Sequence, residues 1–172
     1  MPRYDLPRAA PEPLRLVQRF VNTVDFERDR DWLADLLAEE GVDPTPRELE
    51  RAREAREAFR ELLYANNGQP IEGRPHDVLR RNATRARFTL DLEQPALTAA
   101  APRVDGLLGR ILGVAYGAML DGSWSRLKAC RNHGCRWAFY DYSRNRSASW
   151  CSMQICGNRT KTRVYRRRHS TA

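Results

Sequence analysis

Four cysteines are the residues of this 172-residue chain best suited to chemistry, and all of them lie beyond position 129. Cys130 and Cys135 have four residues between them, and Cys151 and Cys156 repeat that spacing. Zinc takes four soft or borderline ligands in a tetrahedron, and two cysteine pairs supply that set. Each pair is a local clamp, and the segment between the clamps is long enough to form a hairpin. Catalytic zinc keeps an open position and uses histidine or carboxylate ligands. Four thiolates with few acids nearby point instead to one closed, structural ion. The alternatives are a disulfide pair, unrelated buried thiols, or His133 in place of one thiolate. A segment this small has little core of its own, so the metal supplies much of its folding free energy, of order 10 kcal/mol or more for zinc-finger peptides.

The same end of the chain carries the positive charge. Residues 126–172 hold twelve Lys/Arg and one acid, Asp141, a net of +11, whereas residues 1–125 sum to −3. A net charge of +8 and a pI near 9.8 favour a polyanionic partner. Arg159, Arg163, Arg166 and Arg167 fall on one face of a helix starting near Cys151, with Lys161 and Arg168 on a neighbouring face. Arg144 and Arg146 sit in a turn of sequence SRNRS. Trp137, Phe139, Tyr140 and Tyr142 lie between the clamps, where packing a small zinc core is favoured over stacking on bases. Asp141, Asn145 and Asn158 suit bonds to hairpin backbone or to groups around the metal.

The elements that position these residues follow from pattern. Residues 1–13 hold four prolines and read as a flexible arm. Leu14 to Val24 and Asp31 to Glu40 have helical periodicity. Thr45-Pro46-Arg47-Glu48 opens a third helix to about Tyr64, whose Glu/Arg pairs read as a solvated face. Asn66-Asn67-Gly68 ends it, and a short helix over His76 to Ala83 follows. Residues 86–93 alternate as a strand, with the ALTAA segment as hairpin partner. Arg103 to Leu120 is an apolar core helix in which Gly106, Gly109, Gly113 and Gly117 favour close packing over a ligand cavity. After the first cysteine pair, Arg136 to Tyr142 reads as a strand returning through Ser149 to Cys151. The expected fold is α+β: a mainly α-helical domain with a small hairpin over 14–123, then a treble-clef-like hairpin plus helix over 124–172. The 41% hydrophobic content suffices for a core. No apolar run spans a membrane and no apolar leader opens the chain, so the expected location is cytoplasmic, where thiols stay reduced.

The segment RLKACRNHGCRWAFYDYSRNRSASWCSMQICGNRTKTRVYRRR resembles the CGNR zinc finger family, through Cys156-Gly157-Asn158-Arg159 together with SRNRS, WCSM and the basic tail. Upstream, Phe20 to Asp25 (FVNTVD) resembles the start of the ABATE domain, which precedes this finger. After it, FERDRD is short and charged, a departure from the family pattern. The resemblance maps the metal ligands onto Cys130, Cys135, Cys151 and Cys156. It implies a bacterial transcription regulator of stress responses that binds duplex DNA, its helical part sensing a small-molecule effector or forming a homodimer. The competing reading is an RNA-binding or ribosome-associated zinc protein. An enzyme is disfavoured: no phosphate-binding glycine loop, HExxH or GxSxG occurs. His76 reads as a solvent-exposed loop residue, and Asn22 and Thr23, beside Asp25, as helix caps.

Overall fold

The structure, a computed structural model, describes residues 8–93, 96–160 and 162. The fold is α+β, with five α-helices and three two-stranded antiparallel hairpins among those residues. In chain order they are α1 (Arg15–Val21), β1 (Val24–Asp25), β2 (Arg30–Asp31), α2 (Leu33–Glu39), α3 (Pro46–Asn66), α4 (Pro75–Ala86), β3 (Phe88–Asp91), β4 (Ala96–Ala99), α5 (Arg103–Leu120), β5 (Leu127–Ala129) and β6 (Ala138–Tyr140). A π-helical turn, Met153–Gly157, follows the last hairpin. The FERDRD departure is the β1–β2 hairpin, with Val24 opposite Asp31 and Asp25 opposite Arg30. No helix among the described residues is long and apolar enough to cross a membrane.

The central helix α3 starts as its sequence predicts. Thr45 Oγ1 accepts the Glu48 N–H, the Glu48 carboxylate accepts the Thr45 N–H at 2.8 Å, and Pro46 fills the first helical position. Arg103 and Thr45 together hold the Glu48 carboxyl at about 2. The solvated reading of the helix face fails at Arg56 and Arg60, which are 4% and 0% exposed. Both fall on the stripe marked by Ala52, Phe59 and Leu63, so the helix period carries them inward. Arg56 is paired with Asp31 at 2.8 Å, and both arginines share Glu57 at 2.9 Å.

Around α3 the core holds Val17, Phe20, Leu33, Leu37, Phe59, Leu63, Leu108 and Ile111. The Phe20 and Phe59 rings meet edge-to-face at 6.2 Å, and Trp124 closes on Phe59 at 6.4 Å. Each fully buried large aliphatic or aromatic side chain contributes roughly 1.5–3 kcal/mol. Helix α5 seats the β3–β4 hairpin. A Cβ on Gly109 would come within 2.5 Å of the Cβ atoms of Ala86 and Ala99, and one on Gly106 would strike the Ala101 carbonyl. Close packing thus explains these two glycines. Gly113 and Gly117 instead line a cavity of about 460 Å³, walled also by Leu97, Val114 and the Pro11–Leu14 segment.

Of the expected arm over 1–13, residues 1–7 lie outside the described residues, and residues 8–13 are hydrogen-bonded to α1 and β6. Gln18 Oε1 accepts the Ala10 N–H, Gln18 Nε2 donates to the Arg8 carbonyl, and Tyr140 N donates to that same carbonyl. The last hairpin also differs from expectation. The partner of Ala138–Tyr140 is Leu127–Ala129, ahead of the first cysteine, and not the Ser149–Cys151 segment. The physical reason is burial: Leu127, Ala129, Ala138 and Tyr140 all enter the helical core, which gives the earlier strand an apolar face that Ser149 lacks. One core therefore runs from α1 and α3 into the hairpin that bears the cysteines.

Candidate metal centre and the basic surface around it

Each cysteine is placed by a local backbone feature. Cys130 follows β5, and its N–H donates to the Trp137 carbonyl at 2.9 Å, closing the base of the loop. Within that loop Cys135 N and Arg136 N both donate to the Asn132 carbonyl, and Arg136 leaves the turn in the left-handed region at φ 58°. Cys151 is brought back by Arg131 N donating to the Ser149 carbonyl at 3.1 Å. Ser152 then caps the turn that carries Cys156: its Oγ accepts the Ile155 N–H, and its carbonyl accepts from Cys156 and Gly157. Gly157 is small because a Cβ there would meet Met153 Sδ at 2.5 Å and the Trp150 ring at 3.3 Å.

The four Sγ atoms lie within 4.8 Å of one another. Cys135–Cys151 and Cys151–Cys156 are each 3.6 Å apart. A tetrahedron with Zn–S near 2.3 Å has edges of about 3.8 Å, so the sulfurs fit one zinc ion. Four thiols at this spacing cannot all ionise unaided. Cys130 is drawn below the usual thiol range by the thiols of Cys135 and Cys151, which donate to it, and those two are pushed up in turn. A dication lets all four act as thiolates. The centre is closed: the cysteines are buried, and Phe139, Trp137, Ala148 and Trp150 pack around them. Asn132 Nδ2 points at Cys156 Sγ at 3.6 Å. His133 is exposed and outside the group of four.

Of the aromatics, Trp137 and Phe139 pack the metal centre, while Tyr140 enters the helical core instead. Tyr142 is 63% exposed, lies 4.8 Å from the Tyr140 ring and donates its hydroxyl to the Ala9 carbonyl. Asp141 is fully buried and organises the SRNRS loop. Its carboxylate accepts from Lys128 Nζ at 2.8 Å, Ser143 N at 2.9 Å and Ala148 N at 2.9 Å. Burial raises its pKa, but the Lys128 ammonium and the Ser143 bonds outweigh that and hold it at about 2. Lys128 also donates to the Arg146 and Ala148 carbonyls. Asn145 and Asn158 are exposed.

The basic residues fall into two groups. Lys128, Arg126, Arg131 and Arg136 are structural: Arg126 donates to the Asp141 and Ser143 carbonyls, Arg131 to Asn67 O, and Arg136 to the Tyr64 hydroxyl at 3.1 Å. Arg144, Arg146 and Arg159 are exposed. Arg146 touches Ser125 Oγ at 3.0 Å, and Arg159 is paired with Glu27 of the β1–β2 turn at 2.6 Å. Lys161, Arg163, Arg166, Arg167 and Arg168, expected on a basic helix, lie outside the described residues. Helical backbone does continue over 158–160.

A set of polar ties between the helices and the cysteine hairpin escaped sequence reasoning. Asn22, at the end of α1, brackets Ala138 of β6: its Oδ1 accepts the Ala138 N–H at 2.7 Å and its Nδ2 donates to the Ala138 carbonyl at 2.9 Å. It does for β6 what a neighbouring strand would do. Asn67 donates to the Ala129 and Ser149 carbonyls, and Asn66 to those of Trp124 and Leu127. The buried Arg60 donates to the Arg136 and Val21 carbonyls at 2.7 and 2.6 Å. Thr23 is a local brace, donating to Phe20 O and accepting from Arg56. Asp25 accepts from the backbone of Glu27 and Arg28.

Helical body and four-sulfur centre together define a helical protein closed by a zinc finger. Residues 14–121 match the ABATE family, described as "Putative stress-induced transcription regulator", and residues 126–169 match the CGNR zinc finger. The chain belongs to the ABATE family and ends in a CGNR zinc finger. No curated protein matches it.

Proposed function

We propose that this protein is a transcription regulator whose zinc-ordered C-terminal segment binds duplex DNA, a binding rather than a catalytic role. The observation that carries the reading is the coincidence of one closed metal centre with a net charge of +11 over residues 126–172. Phosphate contacts come from Arg144 and Arg146 on the Asp141-anchored loop, from Arg159, and from Lys161, Arg163, Arg166, Arg167 and Arg168. Glu27 holds Arg159 only through an exposed pair, worth little in water, and a phosphate can replace it. In this reading the helical body adjusts the affinity of the finger, because Asn22, Asn67 and Arg60 bond directly to the segment that carries the cysteines.

Selection of duplexes from a random pool, followed by anisotropy titrations of zinc-loaded protein between about 50 and about 200 mM salt, tests it. With about six phosphates neutralised, log K falls against log salt with a slope near −5, and Arg144→Ala with Arg146→Ala lowers that slope by about 2. Removing the zinc with a chelator abolishes the interaction. Equal affinity for RNA at matched salt, with no motif enriched, would instead support an RNA-binding role and overturn this one.

A further inference from the structure

We infer that the outward face of α4 is a second phosphate-binding surface, set on the helical body, which holds the backbone of the duplex that the zinc finger engages. The inference rests on the reading of this protein as a DNA binder. Residues 74–87 hold five arginines and one acid, a net of +4, within a 1–125 segment whose remaining residues sum to −7. Leu79, Asn82 and Ala86 of α4 are buried, and Arg80, Arg81 and Arg85 lie on the opposite arc of the helix, all exposed. Arg74 and Arg87, which flank the helix at its two ends, are exposed as well. Two acids engage this row: Asp77 holds Arg80 at 3.0 Å and Glu54 holds Arg81 at 2.8 Å. Both pairs are solvent-exposed and worth little in water, so a phosphate can replace either acid. Arg74, Arg85 and Arg87 have no acid partner among the described residues.

Folding does not account for this concentration of charge. Arg81 and Arg85 are one helical turn apart, and like charges so placed repel. The helix dipole favours cations at the C-terminal end, by Arg85 and Arg87, but opposes Arg74 at the N-terminal end. An extended anion relieves all of these repulsions. From Arg74 to Arg87 the row is about 20 Å long, which calls for a chain of phosphates rather than one small ion. The exposed positions of α4 are His76, Arg80, Arg81, Thr84 and Arg85, with no apolar side chain for a bilayer to take up. The N-terminal end of the row lies toward the finger: Gln69, Pro70 and Glu72, just ahead of α4, line one cleft with His133 and Arg136 of the cysteine loop. From there α4 runs back along α3, where Arg81 reaches Glu54. The row thus leads from the cysteine loop out over the body, along a course open to a duplex longer than the finger's own footprint.

Anisotropy titrations of the full zinc-loaded chain on a mixed-sequence duplex of about 30 base pairs, between about 50 and about 200 mM salt, test the assignment. Arg81→Gln with Arg85→Gln keeps good helix formers on the exposed face. With about 0.9 lost per phosphate contact, this variant should flatten the salt slope by about 2 and raise Kd at least about tenfold near 100 mM salt. Arg81→Lys with Arg85→Lys keeps the charge and should restore both quantities. Arg85→Gln alone, which breaks no ion pair, should flatten the slope by about 1. Arg110→Gln, at an arginine of α5 with 54% exposure, should leave slope and Kd unchanged. Zinc content and melting temperature show that the variants are folded. If the glutamine pair moves neither quantity while Arg144→Ala with Arg146→Ala weakens binding, the α4 surface is overturned and the finger reading stands. Failure of the parent to bind the duplex at about 50 mM salt overturns both. An RNA hairpin bound as tightly and weakened as much by the glutamine pair would assign the face to RNA and overturn the proposal. So would loss of self-association in that variant with DNA affinity intact, which would assign the face to the acidic part of a second copy.

Discussion

Asn22→Ala removes the side chain that brackets Ala138, and the two bonds it loses are not equivalent. The Ala138 carbonyl keeps a partner, because Gln18 Nε2 also donates to it at 3.2 Å. The Ala138 N–H keeps none among the described residues, since its bond goes to Asn22 Oδ1. Ala138 is fully buried, so water cannot take over. A stranded buried donor costs about 1–3 kcal/mol, and the small void left by the amide adds to it, so the variant should lose about 2–3 kcal/mol. For a chain of this size that corresponds to a fall of roughly 5–10 °C in melting temperature. Denaturant unfolding at fixed free zinc measures it directly. Gln18→Ala combined with Asn22→Ala strands the carbonyl as well, so the double variant should lose about 1 kcal/mol more than the sum of the singles. Because β6 continues from the loop holding Cys135, zinc affinity should weaken in the same variants. An Asn22→Ala protein within about 0.5 kcal/mol of the parent, with unaltered zinc affinity, would refute the view that α1 holds the finger strand.

Three further outcomes follow from local geometry. Asp141→Asn leaves Lys128 charged and poorly paired in the interior, so it should cost about 3 kcal/mol or more in equilibrium unfolding, whereas Lys128→Met with Asp141→Leu should recover part of that loss. The Asp141 carboxyl is depressed to about 2 in the fold, so its stabilisation is complete above the unfolded value near 4 and is lost as pH falls toward 2; a pH series of melts on parent and Asp141→Asn should converge over that window. Gly109→Ala and Gly117→Ala should move stability in opposite directions. The first drives a Cβ to 2.5 Å from two others and costs about 1–3 kcal/mol, while the second meets nothing within 4 Å and gains up to about 1 kcal/mol of helix propensity.

The zinc ligands were legible in the sequence because a tetrathiolate needs nothing but sulfurs in local pairs. The start of α3 was legible for a similar reason: a capping box is complete within four residues. Partners far apart in the chain leave no such trace. Asn22 and Ala138 are 116 residues apart, and nothing in the spacing of either records the other. The hairpin register failed on the same ground. Leu127 and Ser149 both border a cysteine pair, and only the helical core selects the leucine. Arg56 and Arg60 are different, since the clue was present: both fall on the stripe of Ala52, Phe59 and Leu63. Charge alone suggested solvent, and the burial became visible only once Asp31, Glu57 and two backbone carbonyls were in place to receive the guanidinium groups.

The bracket that Asn22 places on Ala138 bears on ancestry and on engineering. A finger cut away from these helices would expose Leu127, Ala129, Ala138 and Tyr140 to water and leave an amide of its central strand with no acceptor. Grafting this finger onto a foreign scaffold therefore requires that scaffold to bring an amide side chain and an apolar seat of its own. Substitutions near Asn22 and those lining β6 should drift together, as two halves of one hinge plate.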